Sequence, residues 1–386
     1  MTHSAENRPA RVGIVGGGQL ARMSAIAAAG IGVDVGVLAE SPEDPATTVA
    51  AHVLIGPPDS IDALRSLAEW ADVVTFDHEH VPPTMLEELQ AEGHRIHPTP
   101  AAKIYAQDKA EQRFHLGGTL GLPVPRHAEV ATTEEVESFA ASAGWPVVLK
   151  DTRGGYDGHG VAVVADAREA VTVLERAESL GVAVLAEELV PIEQELAVVL
   201  ARTPSGRYVV YPVVETVQRG GICHEMLAPA RLPADLQEQA RALAISIAEG
   251  IDATGILAVE LFLARGELLI NELALRPHNS GHFTLGGCVA SQFENHIRAV
   301  LDWPLGDTSL LAPGVACVNV LGEGSIDPRD QLPHALEVPG AMVQLYGKAP
   351  SAGRKLGHVT VGAGEIDDAL QRARRAAALL SSGVAA

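Results

Sequence analysis

The feature that most restricts the fold is Arg11-Val12-Gly13-Ile14-Val15-Gly16-Gly17-Gly18-Gln19-Leu20-Ala21, an apolar run that breaks into glycine and resumes at helical period. It predicts a buried strand, a tight turn and a helix from about Gln19. Val33 to Ala39 and Val73 to Phe76 read as further strands, and such alternation predicts a parallel sheet with crossover helices. Gly16, Gly18 and Ala21, with Glu40 about 20 residues on, satisfy the dinucleotide fingerprint, in which backbone N–H groups meet a phosphate at a helix N-terminus. The same glycines also serve a doubly wound domain that holds no dinucleotide. On this motif alone, NAD binding by an oxidoreductase and a purely structural turn stand even.

A chain of 386 residues predicts two or three domains. A net charge of -21 opposes nucleic acid and anionic membranes, so small ligands or other proteins are the expected partners and any basic cluster needs a reason. Cys223, Cys288 and Cys317 lack disulfide-framework or zinc-ligand spacing and fit a reducing compartment. Met1 to Pro9 is polar, without the apolar core of a signal peptide, and no apolar stretch is long enough to cross a bilayer. A cytoplasmic protein is expected.

A second unit is expected from Ala106, where Gln107-Asp108-Lys109 opens a polar helix ending at Gly117-Gly118, followed by Leu122-Pro123-Val124-Pro125 as a linker. Val147 to Lys150, Gly160 to Val164 and Ala183 to Glu187 read as strands flanking a helix from about Asp166 to Ser179, a compact α+β unit suited to act as a lid. From Glu193 come several strands, helices from about Leu236 to Ala248 and Gln292 to Leu301, and an Ala- and Arg-rich helix after Asp367. The expected division is residues 1–105, Rossmann-like; 106–190, the lid; and 191–386, a larger α+β domain.

Two further motifs carry chemistry. Pro146-Val147-Val148-Leu149-Lys150 is a strand ending in lysine, followed by Asp151-Thr152-Arg153-Gly154-Gly155-Tyr156-Asp157-Gly158-His159-Gly160-Val161. Four glycines within seven residues make a flap whose N–H groups can close over phosphates beside the fixed charge of Lys150. It is not a P-loop, because the lysine precedes the glycines, and alone it also reads as a mobile hairpin tip. Ile256 to Phe262 and Leu268 to Glu272 form a predicted hairpin about Arg265-Gly266, with Glu260 opposite Asn271 or Glu272. Like charges so opposed repel unless a cation lies between them, and two carboxylates beside an amide suit magnesium. A solvent-facing acidic pair is the plainer reading, opposed by apolar flanks that predict central strands.

Lys150, the flap, Glu187-Glu188, Glu260 and Asn271-Glu272 recur in this order in the ATP-grasp superfamily, which the chain resembles. Within that superfamily, the chain is most similar to the 5-(carboxyamino)imidazole ribonucleotide synthases over nearly its whole length. The specific pieces are Gly16-Gly17-Gly18-Gln19-Leu20, Gln107-Asp108-Lys109, Gly154-Gly155-Tyr156-Asp157-Gly158, Asn271-Glu272-Leu273-Ala274, Arg276-Pro277-His278-Asn279-Ser280-Gly281-His282, and Tyr346-Gly347-Lys348 followed by Arg354-Lys355.

The resemblance implies that ATP phosphates meet Lys109, Lys150 and the flap from Gly155 through Tyr156, Asp157, Gly158, His159 and Gly160 to Val161. It implies adenine beside Glu187, Glu188, Leu189 and Val190, ribose at Glu195, and Gln218 near the nucleotide. Glu260 and Glu272 would carry magnesium, with manganese as the alternative, and Asn271 would approach the phosphates. The imidazole ribonucleotide is expected at Tyr156, Asp157, Arg276, His278, Asn279, Ser280 and the basic group Lys348, Arg354 and Lys355. Related phosphoribosyl-binding members add Gln19, Leu20 and Glu79. Bicarbonate is expected at Arg276 and His278, with Lys150 assisting phosphoryl transfer. His159 and Val161 stand where the family often has arginine and glutamine.

The implied reaction is ATP-dependent carboxylation of aminoimidazole ribonucleotide through carboxyphosphate, by a homodimer. The alternatives are another ATP-grasp ligase, the oxidoreductase already mentioned, and a catalytically silent nucleotide binder.

Overall fold

Residues 8–154 and 159–383 are described in a computed structural model of the chain. The flap residues Gly155, Tyr156, Asp157 and Gly158 lie outside the described residues. Among the described residues the strands form three sheets.

The first holds β1 (Arg11–Val15), β2 (Asp34–Ala39), β3 (His52–Ile55) and β4 (Val73–Phe76), all parallel in the order β3-β2-β1-β4. Gly13 has a packing reason: a Cβ there would lie 2.9 Å from Leu67 Cγ, so glycine lets the helix Ile61–Trp70 sit against β1. The β1 turn runs straight into the helix Gln19–Gly30, as expected.

The second sheet is small and antiparallel: β5 (His127–Val130), β6 (Val147–Asp151), β7 (Val161–Val164) and β8 (Val184–Glu188), in the order β5-β8-β6-β7. The helices Thr133–Ala143 and Ala167–Leu180 pack on its apolar face through Val136, Ala140, Ala170 and Ala177. Both start on sequence signals: Thr132 and Glu135 form a capping box, and Asp166 accepts from the N–H groups of Arg168 and Glu169.

The third sheet contains β9 (Gln194–Arg202), β10 (Tyr208–Val210), β11 (Val214–Arg219), β12 (Ile222–Ala228), β13 (Gly255–Ala264), β14 (Glu267–Ala274), β15 (Gly314–Leu321), β16 (Met342–Leu345) and β17 (Lys355–Ala363). Its order is β14-β13-β9-β11-β12-β15-β17-β16, with β10 paired to β9. Val198 and Leu200 of β9 and Leu257 and Val259 of β13 face a core shared with the helix Ala234–Gly250. Their neighbours Val199, Ala201, Ile256 and Ala258 face the opposite core. Burial on both faces explains why these strands read as continuous apolar runs. The helix Gln292–Val300 ties the third sheet to the first: His296 Nε2 lies 2.9 Å from Thr75 Oγ1, and His296 Nδ1 accepts from the N–H of Ile256 at 3.1 Å.

Two local expectations are corrected and one is sharpened. Gln107 ends the helix Pro100–Gln107 rather than opening one; the next helix, Lys109–Arg113, starts because Asp108 accepts from the N–H groups of Ala110 and Glu111. The stretch Leu122 to Pro125 connects without helix or strand, as a linker does, but it is pinned to the third sheet, the Pro123 carbonyl accepting from Ile270 N–H at 2.8 Å. That bond marks the second correction: β14 is the edge strand of its sheet, not a central one.

Candidate active site

The carboxylate pair is built by a defect in a hairpin. β13 and β14 pair Glu260 with Glu272, but the next partners are Leu261 and Ile270, so Asn271 is the extra residue of a bulge. This choice of register, with Glu272 rather than Asn271 opposite Glu260, puts both carboxylates on one face. The Glu260 carboxyl is pushed up, first by burial and then by the charges of Glu272 and Glu195. Asn271 Nδ2 donates to Glu260 Oε2 at 3.3 Å.

The lysines approach from the small sheet and its neighbouring helix. Lys150, next to last in β6, reaches Asn271 Oδ1 at 3.3 Å and Glu187 Oε2 at 2.6 Å. Burial disfavours the Lys150 ammonium, and Glu187 opposes that pull. Burial likewise pushes the Glu187 carboxyl up, but Arg113 and Lys150 outweigh it and hold it below its ordinary range. A group of charges this deeply shielded costs several kcal/mol per ion unless the partners are complete, so its members stand or fall together. Lys109 Nζ lies 3.6 Å from Glu272 Oε1.

On the other side, Arg276 Nε bonds Glu79 at 2.9 Å, joining the loop after β4 to the segment after β14. His278 points Nε2 at Glu260 Oε1, 3.7 Å away, while Nδ1 meets Ser280 Oγ at 2.9 Å. Gln292 clamps His278 by accepting from its N–H at 2.9 Å and donating to its carbonyl at 2.7 Å. Asn279 Oδ1 accepts from Asn319 Nδ2 at 3.2 Å.

Lys109, Lys150, Glu187, Glu260, Asn271, Glu272, Arg276 and His278 line one cleft of about 1250 Å³, with Arg113 and Gln292 behind its wall. Its wall includes Gln19, Leu20 and Glu79 from the first sheet's loops, and Lys109, Lys150 and Val161 from the small-sheet side. Glu187, Glu188, Leu189 and Val190 follow at the end of β8, with Glu195 and Gln218 beyond them. Burial pushes the Glu195 carboxyl up, and Glu188 is held by Arg126 at 2.8 Å. Val148, Val163, Phe262 and Leu273 make this end apolar. The far end carries Lys348, Arg354 and Lys355, with Lys348 Nζ 5.8 Å from the Tyr346 ring.

Among the described residues, three of those expected at the site are not on the wall. Ser280 is buried beneath His278, Gly160 sits against Asp151, where a Cβ would meet Oδ2 at 2.6 Å, and His159 lies in the turn before β7. Arg113 and Gln292, which hold this site together, had no motif to announce them. The available signal for Arg113 was its place four residues after Lys109 on one helix face.

The glycine turn after β1 is filled from within. Gly18 N–H donates to Asp77 Oδ2 at 2.8 Å, and a Cβ on Gly16 would fall 1.6 Å from Asp77 Oδ1. The helix N-terminus that a dinucleotide phosphate would need already carries a carboxylate, which disfavours the oxidoreductase reading.

A parallel α/β sheet followed by two antiparallel sheets, with lysines and paired carboxylates facing across the cleft, defines an ATP-grasp protein. Family models agree: residues 10–107 match the ribonucleotide synthetase preATP-grasp domain, 115–293 the ATP-grasp domain, and 316–372 the phosphoribosylaminoimidazole carboxylase C-terminal domain. The N5-carboxyaminoimidazole ribonucleotide synthase of Mycobacterium tuberculosis (strain ATCC 25618 / H37Rv) is 46% identical over 380 residues, 96% of this chain and 88% of that protein. The structure of the Aspergillus clavatus synthase in complex with ADP and 5-aminoimidazole ribonucleotide matches with a TM-score of 0.87 at 33% identity, covering 97% of this chain and 99% of that one. An ADP complex of N5-carboxyaminoimidazole ribonucleotide synthetase matches with a TM-score of 0.88 at 35% identity, covering 96% of each chain. The chain belongs to the N5-carboxyaminoimidazole ribonucleotide synthase family.

Proposed function

We infer that the chain catalyses the reaction of its family, the ATP-dependent carboxylation of 5-aminoimidazole ribonucleotide to N5-carboxyaminoimidazole ribonucleotide in purine biosynthesis. The observation that carries this reading is the continuous set of contacts from Lys150 through Asn271 and Glu260 to His278 in one cleft. It links a phosphate-facing lysine to the segment that would hold the acceptor.

On this reading, adenine lies at the apolar end by Leu189 and Val190, and the phosphates lie at Lys109 and Lys150. Glu260 and Glu272 suit magnesium, or manganese, because burial and mutual repulsion leave this pair short of positive charge. When bound, the ion draws electron density from the phosphoryl oxygens. Lys150 offsets the charge that spreads over those oxygens as bicarbonate attacks the γ-phosphorus and ADP leaves. Arg276, its direction set by Glu79, and His278, its ring set by Ser280, position bicarbonate. The carboxyphosphate formed releases carbon dioxide and phosphate, and the exocyclic amine of the imidazole bonds to the carbon and loses a proton. Lys348, Arg354 and Lys355 take the ribonucleotide phosphate by charge-assisted hydrogen bonds. Gln19, Leu20 and Glu79 close the cleft on the ribose side. The resemblance assigns Tyr156 and Asp157 of the flap to the acceptor.

The working division remains 1–105, 106–190 and 191–386, and the chain is proposed to act as a cytoplasmic homodimer. Among the described residues no helix is long and apolar enough to cross a membrane.

The test is phosphate release from ATP, magnesium and bicarbonate, with and without aminoimidazole ribonucleotide, while following the acid-labile carbamate. Strong stimulation with carbamate formed in step with phosphate is expected. Nucleotide binding without stimulation would sink the reading and send the substrate question to other amines.

A further inference from the structure

Behind the lysine that faces the phosphates lies a closed ring of contacts, one member of which, Arg113, the reaction above does not use. Arg113 is 0% exposed, at the end of the helix Lys109–Arg113. Its Nε donates to Glu187 Oε1 at 2.7 Å, and the other oxygen of that carboxylate takes Lys150 Nζ at 2.6 Å. Its Nη2 donates to the Asn271 carbonyl at 2.6 Å, and its Nη1 donates to Gln112 Oε1 at 2.8 Å. Lys150 closes the ring on Asn271 Oδ1 at 3.3 Å. The ring therefore joins a helix, two strands of the small sheet and the bulge of β14.

Two cations share one carboxylate here, so one positive charge is left over, and of the two cations Lys150 is the one on the cleft wall. Without Arg113, both oxygens of Glu187 would be open to the lysine, and the pair would be neutral. Asn271 would also lose the bond that fixes its carbonyl, and with it the amide that spans Lys150 and Glu260.

We propose that Arg113 is a positioning residue for phosphoryl transfer: by holding one oxygen of Glu187 and the carbonyl of Asn271, it aims Lys150 and the Asn271 amide at the phosphates and leaves Lys150 its charge. This rests on the reading that ATP binds in this cleft. The two tasks separate chemically. A lysine at 113 restores the charge at Glu187 but lacks the planar fork needed to hold Asn271 as well.

The experiment compares the wild type with Arg113→Met and Arg113→Lys. ADP affinity is read by calorimetry, and kcat and the KM values for ATP and for aminoimidazole ribonucleotide by steady-state kinetics, with a thermal melt of each protein. Arg113→Met is expected to weaken ADP binding by roughly 10- to 100-fold, as loss of a charge-assisted contact does. Arg113→Lys is expected to keep ADP affinity within about 3-fold yet lower kcat by about 10-fold. Both should leave the KM for aminoimidazole ribonucleotide unchanged, whereas general loosening of the fold would raise both KM values together.

Wild-type kcat in Arg113→Lys, or wild-type ADP affinity in a folded Arg113→Met, overturns the proposal. If Arg113→Met does not fold, the kcat of Arg113→Lys decides alone. The calorimetry needs no acceptor. A wild type that binds ADP but does not carboxylate the ribonucleotide removes the proposed reaction, and ADP affinity in Arg113→Met then decides this proposal. A wild type that binds no ADP removes both.

Discussion

The molecule has two apolar strands that run into glycine-rich segments, and the groups beside the two strand ends differ: one end is met by a carboxylate, the other by a lysine and an arginine around a shared carboxylate. At the turn after β1, the Gly18 N–H is taken by the buried Asp77 carboxyl, and Gly16, with φ +116, has no room for a side chain beside it. At the end of β6 the neighbours are cations, Lys150 and Arg113, which share Glu187, with Lys109 close by against Glu272. The first turn supplies its own anion, whereas on the proposed reading the cations at the end of β6 keep charge for an anion from outside. A glycine pattern reports that something approaches the backbone closely; what approaches depends on residues far away in the chain.

The comparison breaks first if the second region tolerates loss of charge at the hairpin. Glu272→Gln keeps the shape of a residue that is 43% exposed on its side chain, so the melting temperature is expected to stay within about 2 °C. Turnover of ATP should fall by about 1000-fold or more if, as proposed, Glu272 holds the charge-stabilising ion. Steady-state phosphate release beside a thermal melt checks both halves. Unchanged ATP turnover would show that the pair holds no ion the reaction needs.

The first region should answer in the opposite currency. Gly16→Ala places a Cβ 1.6 Å from Asp77 Oδ1 on a backbone at φ +116, and neither the carboxyl nor the turn can move without losing the Gly18 bond. A cost of about 2–4 kcal/mol in unfolding free energy is expected from strain and overlap together. In the folded fraction the KM for ATP should change less than about 3-fold. Urea unfolding and kinetics at saturating aminoimidazole ribonucleotide read these separately.

Much of the fold was legible because local rules suffice for it. The parallel first sheet follows from strand and helix alternation, and the helix expected from about Asp166 starts on the Asp166 cap, whereas the helix Thr133–Ala143 went unread despite its capping box. The hairpin was legible to within one residue. Alternation predicts that Glu260 faces Asn271 or Glu272, but only the bulge decides, and its extra residue, Asn271, is held from outside the hairpin by the Arg113 donor on its carbonyl.

The misplaced start at Gln107 has the same character: a polar run marks a helix boundary, and Asp108 serves as the end of one helix and the cap of the next. The edge position of β14 was hidden for another reason. Its inward face is as apolar as that of a central strand, and it is the Pro123 carbonyl, from outside the sheet, that takes the N–H of Ile270. Arg113 was missed because an arginine in a polar helix reads as solvated, and its burial depends on Glu187, 74 positions away.

The finest test of the comparison asks whether Asp77 is merely a plug. Burial pushes its carboxyl up to about 6, against the pull of the Gly18 N–H and of Arg276. A folded-state value above the unfolded one, about 4, means that the folded chain holds this proton more tightly. Its contribution to stability is therefore full below about pH 4 and is lost as the pH rises through 6. Asp77→Asn can accept the same bond from Gly18 without a charge. It should flatten the fall in stability between pH 4 and 6 and, at pH 7.5, raise stability by up to about 3 kcal/mol. Thermal melts of both proteins from pH 4 to 8 supply the slopes. A variant that is less stable than the wild type at pH 7.5 would mean that the ionised carboxylate is wanted there, facing Arg276. The first turn would then be a second working charge site, and the contrast between the two turns would be one of sign alone.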